Sequence, residues 1–181
     1  MVTLELARHQ VRLEDDDTHE DVLLDGMIRA AYKYAESHTQ TRIVPAEVTL
    51  VLDRFPSTSD PIELPWTPVR SVVSLEYVDQ DGEEQSIEPE TLRLDTRSIF
   101  PKLYPQFGSN WPAAIEEPES VTITLEVGYP EGDEPADIST AVLLLVGHYY
   151  NHREAVVSGA AVDIPMGVGA LLAPYVITAV G

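Results

Sequence analysis

Hydrophobic residues change their spacing twice along this chain. They recur every three or four positions up to about Gln40. They alternate, or run in short β-branched blocks, from about Ile43 to Tyr129, and return to helical spacing after Pro135. Periods of 3.6 and 2 bury different faces, so neither an all-helical bundle nor an all-β sandwich accommodates the whole chain. The reading is therefore α+β. Helical ends flank a β-rich middle, which runs from about Ile43 to Tyr129. A length of 181 residues fits one domain carrying an inserted subdomain.

The first zone predicts two helices. Thr3 can cap a short one with Leu4, Ala7 and Val11 on one side. The acidic run Glu14 to Asp17 interrupts it. Asp17 and Glu20 have capping-box spacing, and Thr18 and Asp21 have it more loosely. Beyond them Val22, Leu23, Met27, Ile28, Ala31, Tyr34 and Ala35 form an apolar stripe, with Arg29, Lys33 and Glu36 mainly opposite.

In the middle zone, Val48–Leu52 and Val72–Val78 are β-branched and apolar. Ile62 and Glu63 lie between prolines, which suits an edge strand. Asp79–Gly82 separates Val72–Val78 from Gln85–Ile87 and signals a hairpin. Leu92–Leu94 and Ser98–Phe100 are weaker strands, and Val121–Val127 alternates over seven residues. Most of the fourteen prolines fall here or at the borders, marking many short connections.

After Pro135, Ile138, Ala141, Val142, Leu145, Val146 and Tyr149 form one stripe, and Leu143 and Leu144 fill the opposite side. A helix apolar nearly all round belongs at the centre of a core or interface. Val156 to Pro165 reads as a small-residue linker, Met166 to Ala173 as a short helix, and Tyr175 to Val180 as a β-prone end. An apolar chain end departs from the usual frayed, polar one. It either adds an edge strand to its own fold or docks on another subunit or partner, and the second is the favoured reading.

Thirty-one acidic residues against eleven basic ones give a formal charge of −20. Such a surface repels nucleic-acid phosphates, whose binding needs clustered Lys and Arg. The charge serves solubility, a basic partner, or a surface past which DNA slides. With no cysteine, a disulfide framework and a thiolate zinc site are excluded. No stretch approaches the ~20 apolar residues of a membrane span. The first seventeen residues lack the basic and apolar regions of a secretory signal.

Catalytic patterns are missing. His148 and His152 are four apart, but Tyr149 stands where a zincin has Glu, and no third ligand lies nearby. Gly167-Val168-Gly169 is no phosphate cradle, and there is no P-loop or nucleophile elbow. The Glu14–Asp17 run lacks the spacing of a calcium loop. Trp66 and Trp111, beside prolines, either cover the sheet or a subunit contact, or offer a sugar platform. Carboxylate pairs are inevitable by chance among so many acids, so a carboxylate glycosidase is the weakest reading. No cofactor is implied.

Four stretches carry a resemblance. They are Thr3-Leu4-Glu5 with Asp21–Ala31; Leu64-Pro65-Trp66-Thr67-Pro68-Val69-Arg70-Ser71-Val72, running on to Tyr77-Val78-Asp79 and Gly82; Leu143 to Val156; and Leu171-Leu172-Ala173-Pro174-Tyr175. In this order they resemble the head–tail connector (adaptor, or head-completion) proteins of long-tailed phages and gene transfer agents, in the longer branch with a β insertion. His152 stands where that family more often has Asn. The resemblance implies a non-enzymatic virion protein at the head–tail interface, assembled in the bacterial host cytoplasm. It implies a small helical bundle of the N-terminal helices and one long C-terminal helix as the protomer core, residues 1–42 and 133–157, with 43–132 a β-rich insertion and 158–181 an extended C-terminal tail, and a ring of such protomers, dodecameric in the assembled virion, beneath the portal protein. The ring extends the DNA channel without specific DNA binding or membrane contact, and meets a stopper or tail-terminator protein below. The tail then docks on the portal or a neighbouring subunit through Leu171, Leu172, Pro174, Tyr175 and Ile177, with Arg153 at the helix end. An acidic DNA mimic that inhibits a nucleic-acid enzyme is the alternative; it shares the charge but has no use for the tail.

Overall fold

The structure, a computed structural model, describes residues 1–14, 18–153 and 165–177. The chain divides into two compact units, Met1–Ile43 with Pro130–Gly181, and Val44–Tyr129. The architecture is α+β, as the change of period requires. Among the described residues no helix is long and apolar enough to cross a membrane.

The first unit contains α1 (Leu4–Val11), α2 (Asp21–Thr39), α3 (Ala136–Asn151) and α4 (Met166–Leu172), which runs into a 3-10 turn at Ala173–Tyr175. Thr3 caps α1, its hydroxyl accepting the Leu6 N–H at 3.3 Å, and Arg12 closes the helix in the left-handed region. The centre is α3, which contacts α1, α2 and α4. Its Ile138, Ala141, Val142, Leu145 and Val146 are buried, which explains a helix apolar nearly all round. Pro135 precedes this helix and its carbonyl accepts from Ile138 and Ser139. At α1 and α2, Arg8 donates from Nε to Asp21 at 2.9 Å. Tyr32, buried in α2, accepts the Val2 N–H at 2.7 Å and donates to Glu134 at 2.8 Å. Burial first, and the facing Glu134 carboxylate with it, push this phenol above its ordinary range.

The buried face of α2 differs from the expected one. Leu24, Ile28, Ala31, Tyr32, Ala35 and Thr39 are inside, whereas Val22 is 86% exposed and Leu23 is 41% exposed. The apolar arc of α2 is wider than the strip its partners cover, so one margin stays in solvent. The expected Asp17–Glu20 capping box cannot be followed at Asp17, which lies outside the described residues. Glu20 precedes α2 but makes no capping bond, because its carboxylate is engaged elsewhere.

The second unit holds two antiparallel sheets. The larger has the order β1 (Ala46–Leu52), β7 (Val121–Val127), β3 (Val69–Val78), β4 (Glu84–Ile87). The smaller has the order β2 (Ile62–Glu63), β6 (Lys102–Tyr104), β5 (Arg93–Asp95), so the Pro-bounded β2 is an edge. The alternation of Val121–Val127 becomes strict burial alternation along β7, an interior strand. Leu75, Val121, Ile123, Leu125 and Val127 share a core with Ile62, Leu64, Leu103, Phe55 and Trp111. Trp111 stacks on Phe55 at 5.1 Å and donates to the Asp60 carbonyl at 2.8 Å. It is a core residue, and Trp66 packs half-buried against the same core, so both cover the sheet.

The predicted hairpin forms. Asp79 accepts the N–H groups of Asp81 and Glu83, each at 3.0 Å, and Gly82 takes a φ of +85°. The Glu83 bond first, then Gln85, hold the Asp79 carboxyl below its ordinary range. One expected strand is absent: Ser98–Phe100 bends, with Ile99 and Phe100 exposed. Pairing starts instead after Pro101, where Leu103 lies between Ile62 and Leu94. Alternating apolar residues make a strand only where partners are present on a flank.

Candidate assembly surface

The chemistry of the first unit lies at helix ends. Glu20 accepts from both Arg153 terminal nitrogens at 2.7 Å and from the Tyr150 hydroxyl. The guanidinium sits 4.1 Å from the Tyr150 ring centroid, a cation–π contact within the same cluster. These bonds, Arg153 foremost and Tyr150 next, hold the Glu20 carboxyl down to about 2. Arg153, expected at an interface, is thus engaged by its own unit. Glu154 to Val156 of the expected Arg-Glu-Ala-Val close, with the small-residue linker through Ile164, lie outside the described residues.

His148 and His152 share a face, with ring centroids 4.5 Å apart and His152 Nδ1 2.9 Å from the His148 carbonyl. Burial first, and then His152, lower the His148 imidazole. Among the described residues no group of three His, Asp or Glu side chains is placed to hold a metal ion.

The C-terminal segment is built into the unit further than its composition suggests. Leu172 is fully buried, as is Val168 one turn earlier in α4. Leu171 and Tyr175 are half-buried, and Pro174 is exposed in the 3-10 turn. The Tyr175 hydroxyl lies 3.5 Å from Asp137. Burial, then that carboxylate, raise its phenol. The Ile177 N–H donates to the Thr39 carbonyl at 2.9 Å, fastening the segment to the end of α2. Tyr175 therefore sits in a turn and not in the β-prone run expected there, whose last residues, 178–180, lie outside the described ones. Of the five candidate docking residues of the tail, Tyr175 reaches the start of α3 and Ile177 the end of α2, while Arg153 belongs to the separate Glu20 cluster. Of the five, Leu172 turns inward and offers its side chain to no partner in this arrangement.

A second surface was not anticipated. The uncovered margin of α2 and Tyr149 of α3 form a shallow apolar groove, wide open to solvent and lined by His19, Val22, Leu23, Gly26, Met27, Ala30 and Tyr149. Gly26 forms part of its floor, where an added Cβ meets nothing within 4 Å. Asp25 and Arg29, on the same helix, pair with each other at 2.9 Å, so the groove carries no unpaired charge from them. The signal for this surface is present in the sequence, as an apolar arc too wide for one packing strip.

No known family profile and no curated protein matches the chain. Solved structures do. A chain of the neck of an empty gene transfer agent particle, computed with C6 symmetry, is 25% identical, with a TM-score of 0.74 over 99% of this chain and 91% of that one. A chain of the native particle's virion is 27% identical, with a TM-score of 0.75 over 99% and 91%. A chain of the native neck, computed with C12 symmetry, is 27% identical, with a TM-score of 0.72 over 100% and 95%. This chain has the fold of a gene transfer agent neck protein. The neck fold covers both units, helical ends and β-rich middle alike.

Proposed function

We propose that this chain is a structural head–tail connector of a virion: a ring subunit beneath the portal that extends the DNA channel. The observation that carries the proposal is the likeness to neck chains along essentially the whole length of both proteins. A charge-only DNA mimic has no reason to share such a fold. In this reading residues 1–42 and 133–157 are the ring-forming core, 43–132 an insertion and 158–181 the portal-docking tail. Pro174, Leu171, Tyr175 and Ile177 are its contact candidates. The ring is dodecameric and meets a stopper or tail terminator on its far side.

The charge supports this role. Copies at −20 around a channel surround DNA with like charge. Screening limits the repulsion to a Debye length of ~8 Å at physiological salt. Within that range the wall does not hold phosphates, which suits a conduit through which DNA must slide. The function is assembly and passage, not catalysis.

The test is to mix the purified chain with the portal of the same particle and image the mixture by negative stain. A ring or stalk added to the portal is expected. Bare portals under all mixing ratios would overturn the proposal.

A further inference from the structure

The two sheets of the second unit turn their inner faces to one core, so their outer faces look away from each other, and these differ in character. On the larger sheet the register sets Glu47 directly opposite Glu126, and Glu76 opposite Thr122, with Glu84 opposite Val78 on the same face. Glu47, Glu76 and Glu84 are exposed and make no ion pair among the described residues, while the nearby Arg70 pairs with Glu126 at 3.7 Å. On the smaller sheet Leu94 and Leu103 join the core, so Arg93, Asp95, Lys102 and Tyr104 beside them face outward. Asp95 pairs with Arg97 and Lys102 with Glu63. Arg93 makes no ion pair among the described residues: its Nε donates to the Pro105 carbonyl at 3.2 Å, and its guanidinium lies 5.1 Å from the Tyr104 ring and 5.6 Å from that of Phe107. Phe107 is 84% exposed and Ile99 65%. Both belong to Thr96–Ile115, twenty residues without an acid, the longest such run in a chain at −20.

Resting on the connector reading, we propose that the second units of neighbouring copies dock head to tail, the Arg93 face of one on the glutamate face of the next. A ring joins unlike patches on successive copies, so each protomer must offer two different, complementary surfaces. One chain carries both here, on opposite sides of one unit and opposite in charge. The match is an attraction: Arg93 lacks a carboxylate, and Glu47, Glu76 and Glu84 lack a cation. An arginine framed by exposed aromatic rings is also the composition found at the energetic centre of protein interfaces. On the receiving face, like charges directly opposite each other, as Glu47 and Glu126 are, weaken a lone sheet, and an incoming guanidinium relieves that repulsion.

A carbodiimide joins an amine directly to a carboxylate, and the chain has only two lysines, Lys33 and Lys102. Rings are assembled on the portal from mixed isotope-labelled and unlabelled chains, then cross-linked and digested. Mixed-isotope peptides joining Lys102 to Glu47, Glu76 or Glu84 are expected, while the link to Glu63, 3.3 Å away in the same chain, stays unmixed. A second arm reads the salt concentration at which rings come apart. Arg93→Glu should shift it downward at an unchanged melting temperature, because Arg93 is exposed, and adding Glu76→Arg should restore it. Rings without the mixed peptides, or equal salt resistance in all three chains, would overturn this contact and leave the connector reading standing. Links from Lys102 to the portal alone, or duplex DNA held by the free chain through Arg93, would assign the face to another partner and overturn the contact as well. Absence of rings would overturn both the contact and the connector reading.

Discussion

Truncating Leu172 to Ala separates a residue of the protomer core from a residue kept for docking. Its side chain is fully buried, in a helix that packs on α3. The change removes three carbon atoms, which forfeits roughly 2–3 kcal/mol of transfer free energy at about 0.8 per methylene. Packed surroundings close such a space only partly, so a residual cavity raises the loss to about 3–4 kcal/mol. For a chain of this length each kcal/mol lowers the melting temperature by roughly 2–4 °C, and the expected fall is on the order of 10 °C. Leu171→Ala is the matched control. Leu171 is half-buried, so about 1 kcal/mol is at stake, while its portal binding should weaken more than its stability. Thermal melts followed by circular dichroism, with portal pull-down on the same samples, read both quantities. If Leu172→Ala melts within about 2 °C of the parent, α4 does not dock on its own unit and the burial argument fails.

Two further outcomes follow from single residues. The Glu20 carboxyl sits at about 2 when folded, below its ordinary 4.5, so its contribution to stability is present above the ordinary value and lost as pH falls toward 2. The melting-temperature gap between the parent and Glu20→Gln should be flat near neutrality and close with acidification; a gap that persists at the acid end would refute the Arg153–Tyr150 assignment. Gly128 and Gly82 both hold a φ of +85°, but a Cβ on Gly128 would overlap the Val44 carbonyl, while one on Gly82 meets open space. In denaturant titrations Gly82→Ala should lose about 1 kcal/mol, the cost of backbone strain alone, and Gly128→Ala clearly more. Equal losses would mean that Val44 moves aside freely.

The sequence discloses some of this architecture because some elements are specified locally. The alternation of Val121–Val127 needs no knowledge of partners, since an interior strand buries every second residue. The Asp79–Gly82 turn is similarly self-contained, with its bonds closing inside five residues. What escapes is set by distant chain. Whether Val22 or Leu24 turns inward depends on where α3 crosses α2, and both are apolar. The Glu20–Arg153 pair joins residues 133 positions apart, with no local trace in either segment. Ile99 and Phe100 look like a strand, but pairing with β2 and β5 begins only at Lys102. The tail was legible as apolar. Its division into an inward Leu172 and a more open Leu171 depends on the surface of α3, which periodicity does not describe.

Ala46 at the start of β1 stands opposite Val127 at the end of β7. Directly paired residues have Cα atoms about 5 Å apart, so the chain enters and leaves the second unit at nearly one point. To the helices, the whole excursion from Val44 to Tyr129 is geometrically a tight loop between α2 and α3. Such a module is graftable: its excision with a short turn in its place leaves α2 and α3 the same distance to span.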